Sequence, residues 1–83
     1  MANSIENYVI DVAKKLRIEK GMTQSDLAFA LGVSYGFIGK VESSNFDTKY
    51  NLKHINKLAL IFGVSPREFL PKEGIKDGQE NSV

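Results

Sequence analysis

Between Ser34 and Lys57 the sequence sets Lys40, Lys49, Lys53 and Lys57 against only Glu42 and Asp47, with Tyr35, Ser43 and Ser44 adding hydroxyls among them. Such side chains donate hydrogen bonds and positive charge, so their chemistry is non-covalent capture of acceptors rather than bond making. Groups for covalent work are scarce. There is no cysteine and one histidine, His54, which excludes disulfides and thiolate metal sites and leaves no cluster to hold an ion. Carboxylates are scattered as helix caps and ion-pair partners, no glycine-rich phosphate loop is present, and no Ser/His/Asp grouping stands out. The sequence therefore reads as a non-enzyme without cofactor or metal. A formal net charge of +1 is low for a purely electrostatic binder of nucleic acid, so the placement of the charges says more than their sum.

The elements that position these groups lie in TQSDLAFALGVSYGFIGKVE, Thr23 to Glu42. Thr23 suits the cap of a first helix, Asp26 favours its positive end, and Leu27, Ala28 and Leu31 give it one apolar stripe. Gly32 stands where a left-handed residue ends a helix, and Val33 plugs the corner. Ser34 is expected to cap the second helix. There Phe37, Ile38 and Val41 face one way, while Tyr35, Gly36, Gly39, Lys40 and Ser43 face the other. Two helices at a sharp corner, with the second displayed, are the geometry that enters the major groove of DNA.

At Thr23, Gln24, Leu27, Ala28, Leu31, Gly32, Val33, Ser34, Ile38 and Glu42 the chain resembles the Xre/Cro, lambda-repressor-like helix-turn-helix family. The likeness continues through Leu52, Leu58, Ala59, Gly63 and Val64 to about Leu70. It implies that Glu42 faces inward and that Tyr35, Gly36, Gly39, Lys40 and Ser43 occupy base-reading positions. It implies that Gln24 offers its amide to a backbone phosphate, with Ser34, Ser44 and Lys49 as further donors beside the strand. Lys40 is the leading base reader, since an ammonium can donate to guanine O6 and N7, and Tyr35 is second. Gly36 and Gly39 depart from the usual pattern; they allow either a close backbone approach or a reader that relies on DNA shape.

The remaining chain supplies the scaffold. Ile5, Tyr8, Val9, Val12, Ala13 and Leu16 recur at helical spacing over Asn3 to Lys20, with Asn3 and Glu6 as a capping pair. Arg17 and Lys20, near its end, are candidates for a secondary phosphate contact. SSNFDTKYN, residues 43–51, forms a polar loop about two residues longer than the family spacing, and its aromatics Phe46 and Tyr50 are expected to fold over the core. Asn51 caps a helix bearing Leu52, Ile55, Leu58, Ala59 and Phe62 on one stripe, with Gly63 at its stop. His54 lies off that stripe as a surface or locally hydrogen-bonded residue. Ser65, Pro66 and Glu68 open a short fifth helix that Pro71 ends.

The expected fold is all-α, a five-helix lambda-repressor-like domain over residues 1–71, followed by a disordered polar tail over 72–83. No apolar run suits a signal peptide or a membrane span, which places the protein in the cytoplasm. The functional expectation is a DNA-binding transcriptional regulator: a dimeric repressor or controller reading double-stranded, palindromic DNA and pairing through Ile61, Phe69 and Leu70. The alternative is an antitoxin-like or adaptor protein that chiefly binds a protein partner.

Overall fold

A computed structural model describes residues 4–76, and among these it contains helices and no strand. Helix α1 spans Ile5–Glu19, α2 Gln24–Leu31, α3 Phe37–Glu42 and α4 Leu52–Phe62; a single 3-10 turn, Pro66–Phe69, follows. The expected fifth α-helix is therefore one tight turn. Proline at its first position removes a donor, Pro71 follows closely, and the Leu70 N–H returns to the Arg67 carbonyl over three residues.

Local sequence explains where each helix starts and stops. Ser4, not Asn3, caps α1 by accepting from the Asn7 N–H, and Asn3 lies outside the described residues. Thr23 and Asp26 exchange hydrogen bonds in a full capping box at α2. Those bonds hold the Asp26 carboxyl below its ordinary value. Helices α2 and α4 both end on left-handed glycines, Gly32 at φ 78° and Gly63 at φ 70°, a conformation that costs a residue with a Cβ about 1–2 kcal/mol.

At α4 the cap is less usual. Asn51 accepts from the His54 N–H, and the Asn51 N–H donates to His54 Nδ1 at 3.0 Å, so the imidazole fills the role that Glu or Gln takes in other capping boxes. Burial lowers the His54 pKa from its ordinary 6.5. The folded state therefore binds fewer protons than the unfolded chain near that pH. The resulting stability is complete above pH 6.5 and is lost as pH falls through the folded pKa. His54→Gln keeps an acceptor for the cap and has nothing to titrate there, so its thermal midpoint is expected to lose the fall below pH 6.5 that the parent shows. An identical acid limb in both proteins would contradict this assignment.

The core is one cluster. Val9, Ile10 and Ala13 from α1 meet Leu27, Ala28 and Leu31 from α2, Ile38 and Val41 from α3, and Leu58, Ala59 and Phe62 from α4, with Tyr50 and Phe69 closing it. Tyr50 folds inward as expected, forming edge and tilted ring contacts with Phe37 and His54, and burial pushes its phenol well above the ordinary value. Phe46 does not follow; it is half-exposed beside Lys40. Leu52, expected on the α4 stripe, is 82% exposed at the first residue of the helix.

Phe69 is fully buried. Its assignment to a subunit contact is overturned, since the 3-10 turn packs on both α1 and α4 and aims this ring inward, 6.4 Å from that of Phe62.

Candidate nucleic-acid interface

Helix α3 is only six residues long and is held by its inner face: Ile38 and Val41 are buried, and Phe37 makes a tilted ring contact with His54, centroids 5.1 Å apart. It starts later than expected. Ser34 does not cap it with its side chain; the Ser34 carbonyl instead accepts from the Phe37 N–H, so Tyr35 and Gly36 form a turn that leads into the helix. This turn puts Tyr35 far out, 81% exposed, with Ser34 and Gly36 exposed beside it.

Lys40 is exposed one turn further along, its Nζ 5.8 Å from the Phe46 ring centroid. Among the described residues no carboxylate pairs with it. A cation on a ring face loses little of its capacity to bind an acceptor elsewhere, so this contact steadies the side chain and leaves its charge available. Gly39 is half-buried on the same helix.

Ser43, Ser44 and Lys49 line one cleft of about 300 Å³, together with Asp11 and Glu42. Ser43 ends α3, and its Oγ accepts from the Asn45 N–H at 3.2 Å. Lys49 Nζ lies 3.9 Å from Asp47 Oδ1, so part of its charge is already answered. The cleft is thus mixed in sign, and Lys40 is the less encumbered cation.

Gln24 and Glu42 define the support behind this face. Glu42 turns inward and takes Arg17 on both oxygens: Arg17 Nε donates to Oε2 at 2.9 Å and Nη2 donates to Oε1 at 3.0 Å. Arg17 Nη1 donates to the Met22 carbonyl at 2.7 Å, so this one guanidinium ties α1 to the α1–α2 link and to α3. Arg17 is thereby removed from any role at a phosphate, because it is buried and its Nε, Nη1 and Nη2 are each already bonded within the fold. Gln24 Nε2 donates to Glu42 Oε1 at 3.0 Å, an anchor that sequence reasoning missed. Lys57 is also accounted for locally: its Nζ lies 3.4 Å from where a Cβ on Gly32 would stand, at the negative end of α2.

The fold and this displayed second helix define a helix-turn-helix protein of the DNA-binding, transcription-regulating class. The helix-turn-helix family profile matches residues 14–69, and the chain belongs to this Xre/Cro-like family. Among solved structures it is similar to the restriction-modification controller protein C.AhdI from Aeromonas hydrophila. The two are 32% identical over 76% of this chain and 92% of that one, with a TM-score of 0.63. A hypothetical transcription factor, NHTF from Neisseria, shares the fold at 23% identity and a TM-score of 0.70, over 95% of this chain and 83% of that one. A chain of the SinR protein/SinI protein complex shares it at 24% identity and a TM-score of 0.63, over 90% of this chain and 66% of that one. No curated protein is significantly similar in sequence. Among the described residues no group of His, Cys, Asp and Glu could hold a metal ion, and no helix is long and apolar enough to cross a membrane.

Proposed function

We propose that the protein is a sequence-specific regulator of transcription, a dimeric repressor or controller that reads a palindromic operator in double-stranded DNA. Tyr35, Gly36, Lys40 and Ser43 face the base edges, with Gly39 turned toward Gln24 behind them, while Gln24, Ser34, Ser44 and Lys49 grip the flanking phosphates. The observation that carries this reading is Lys40, exposed and unpaired on a helix whose other face is locked into the core. The likeness to a restriction-modification controller protein favours the controller form. Such a regulator works without catalysis and in the cytoplasm, and it comprises a domain over residues 1–71 with a polar tail from 72.

With Phe69 unavailable, pairing of two copies falls to exposed apolar groups nearby. Ile5, Leu52 and Leu70 rim a groove of about 160 Å³ with Ile55 and Tyr50 in its wall. Ile61 is partly buried against the core and does not line this groove. A two-fold pair would set the two α3 helices about one DNA turn, roughly 34 Å, apart. The adaptor reading draws on other exposed apolar side chains, Phe29 at 90% and Leu60 at 75%.

Lys40→Ala is expected to weaken binding to the selected duplex roughly ten- to a hundredfold and to relax the preference at one base pair. The thermal midpoint stays unchanged, because the residue is exposed. Fluorescence anisotropy with matched and substituted duplexes checks both effects. Unaltered affinity in Lys40→Ala and Tyr35→Ala, with partner binding lost in Phe29→Ser, would favour the adaptor reading.

A further inference from the structure

We propose that Gly39 is a positioning residue for Gln24: the side chain it lacks leaves the room in which the Gln24 carboxamide is held, and this fixes how Gln24 is presented to DNA. The second clause rests on the functional reading above; the first does not.

The orientation of the amide is set by its partner. A carboxylate only accepts hydrogen bonds, so the nitrogen end of Gln24 must face Glu42, and Nε2 donates to its Oε1 at 3.0 Å. The oxygen end is then turned onto α3. Gln24 Oε1 lies 3.3 Å from the point that a Cβ on residue 39 would occupy, tighter than most such contacts, so a Cβ there would oblige the amide to give by a few tenths of an ångström.

The amide has little freedom to retreat while it keeps that bond. Glu42 is held on both oxygens by Arg17, and Arg17 is buried and bonded to the Met22 carbonyl. The chain Arg17–Glu42–Gln24 thus runs from the buried side of α1 to the exposed start of α2, and Gly39 is the surface on which it closes. One Gln24 N–H is used by Glu42, and the second remains for a phosphate oxygen in a set direction.

Backbone conformation does not account for this glycine. The glycines with positive φ are Gly21, Gly32 and Gly63, and Gly39 lies within α3 in ordinary helical geometry. Gly36 provides the contrast, since a Cβ there would meet nothing within 4 Å. An alanine within a helix normally stabilises it relative to glycine, so the absence of that gain is the signature of the contact.

A double-mutant cycle over Gly39→Ala and Gln24→Ala tests the proposal, read as thermal midpoints without DNA and as Kd for the selected duplex. In the Gln24→Ala background, Gly39→Ala is expected to raise the midpoint by about 2–8 °C, and in the parent it gives no gain. For binding, Gly39→Ala weakens the parent roughly tenfold and leaves the Gln24→Ala protein within about twofold. Equal midpoint shifts in both backgrounds would overturn the contact. Coupled midpoints with additive Kd values would overturn the presentation of Gln24 to DNA. A parent that binds no duplex at all would remove the functional reading and the presentation with it, while the midpoints still decide the role of the glycine.

Discussion

Glu42→Ala is expected to destabilise the domain by about 3–5 kcal/mol, the range seen when one partner of a buried ion pair is removed. The Arg17 and Glu42 side chains are 11% and 2% exposed, and both carboxylate oxygens are engaged. Without Glu42 the guanidinium keeps only the Met22 carbonyl and remains inside, an uncompensated charge in low dielectric. For a domain of this size each kcal/mol moves the midpoint by about 4–8 °C, so a fall of at least about 12 °C is expected. The effect belongs to the orphaned charge and not to the bridge as such. The double variant Arg17→Met/Glu42→Leu, which replaces both partners with apolar side chains, is therefore expected to recover most of the loss. Urea unfolding measures both variants, and a double variant no more stable than Glu42→Ala would refute the explanation.

Phe69→Ala is expected to cost a similar amount, about 3–5 kcal/mol, through lost burial and the cavity left behind. The ring is fully buried, and it is delivered by a segment with only four residues of regular structure, Pro66–Phe69. Such a short turn has little stability of its own, so its docking depends on what Phe69 contributes between α1 and α4. The variant should unfold at lower urea without any change in the concentration dependence of its assembly. If Phe69 instead belonged to a subunit contact, sedimentation would show a shifted self-association and the monomer would keep its stability.

Much of the architecture was legible because this chain punctuates its helices clearly. Thr23 with Asp26, Gly32, Asn51 and Gly63 each carry the start or stop chemistry that the structure uses. What escaped were the places where a polar residue occupies an apolar position. Arg17 continues the buried row Val9, Ile10 and Ala13 at helical spacing, and an inward Glu42 requires a buried cation. Those two clues together would have found the pair, but each was read by itself. Phe69 was misjudged because a 3-10 turn aims side chains differently from the α-helix expected there.

The candidate site was legible in its types and less so in its geometry. Tyr35, Gly36 and Lys40 are exposed, as their outward spacing implied, while Gly39 and Ser43, expected on the same face, are half-buried. The turn preceding Phe37 could not be anticipated while Ser34 offered a plausible cap, and the Gln24–Glu42 bond depends on a meeting of α2 with α3 that no local pattern encodes.

The proposed function requires that the outward face of α3 read DNA. Selection from a random pool of duplexes at near-physiological salt, with sequencing of the fractions bound by the parent and by Lys40→Ala, tests it most directly. An enriched palindrome with half-sites about one helical turn apart is expected, with loss of a defined base preference in the variant. No enriched sequence, with weak binding that falls steeply as salt rises, would contradict it.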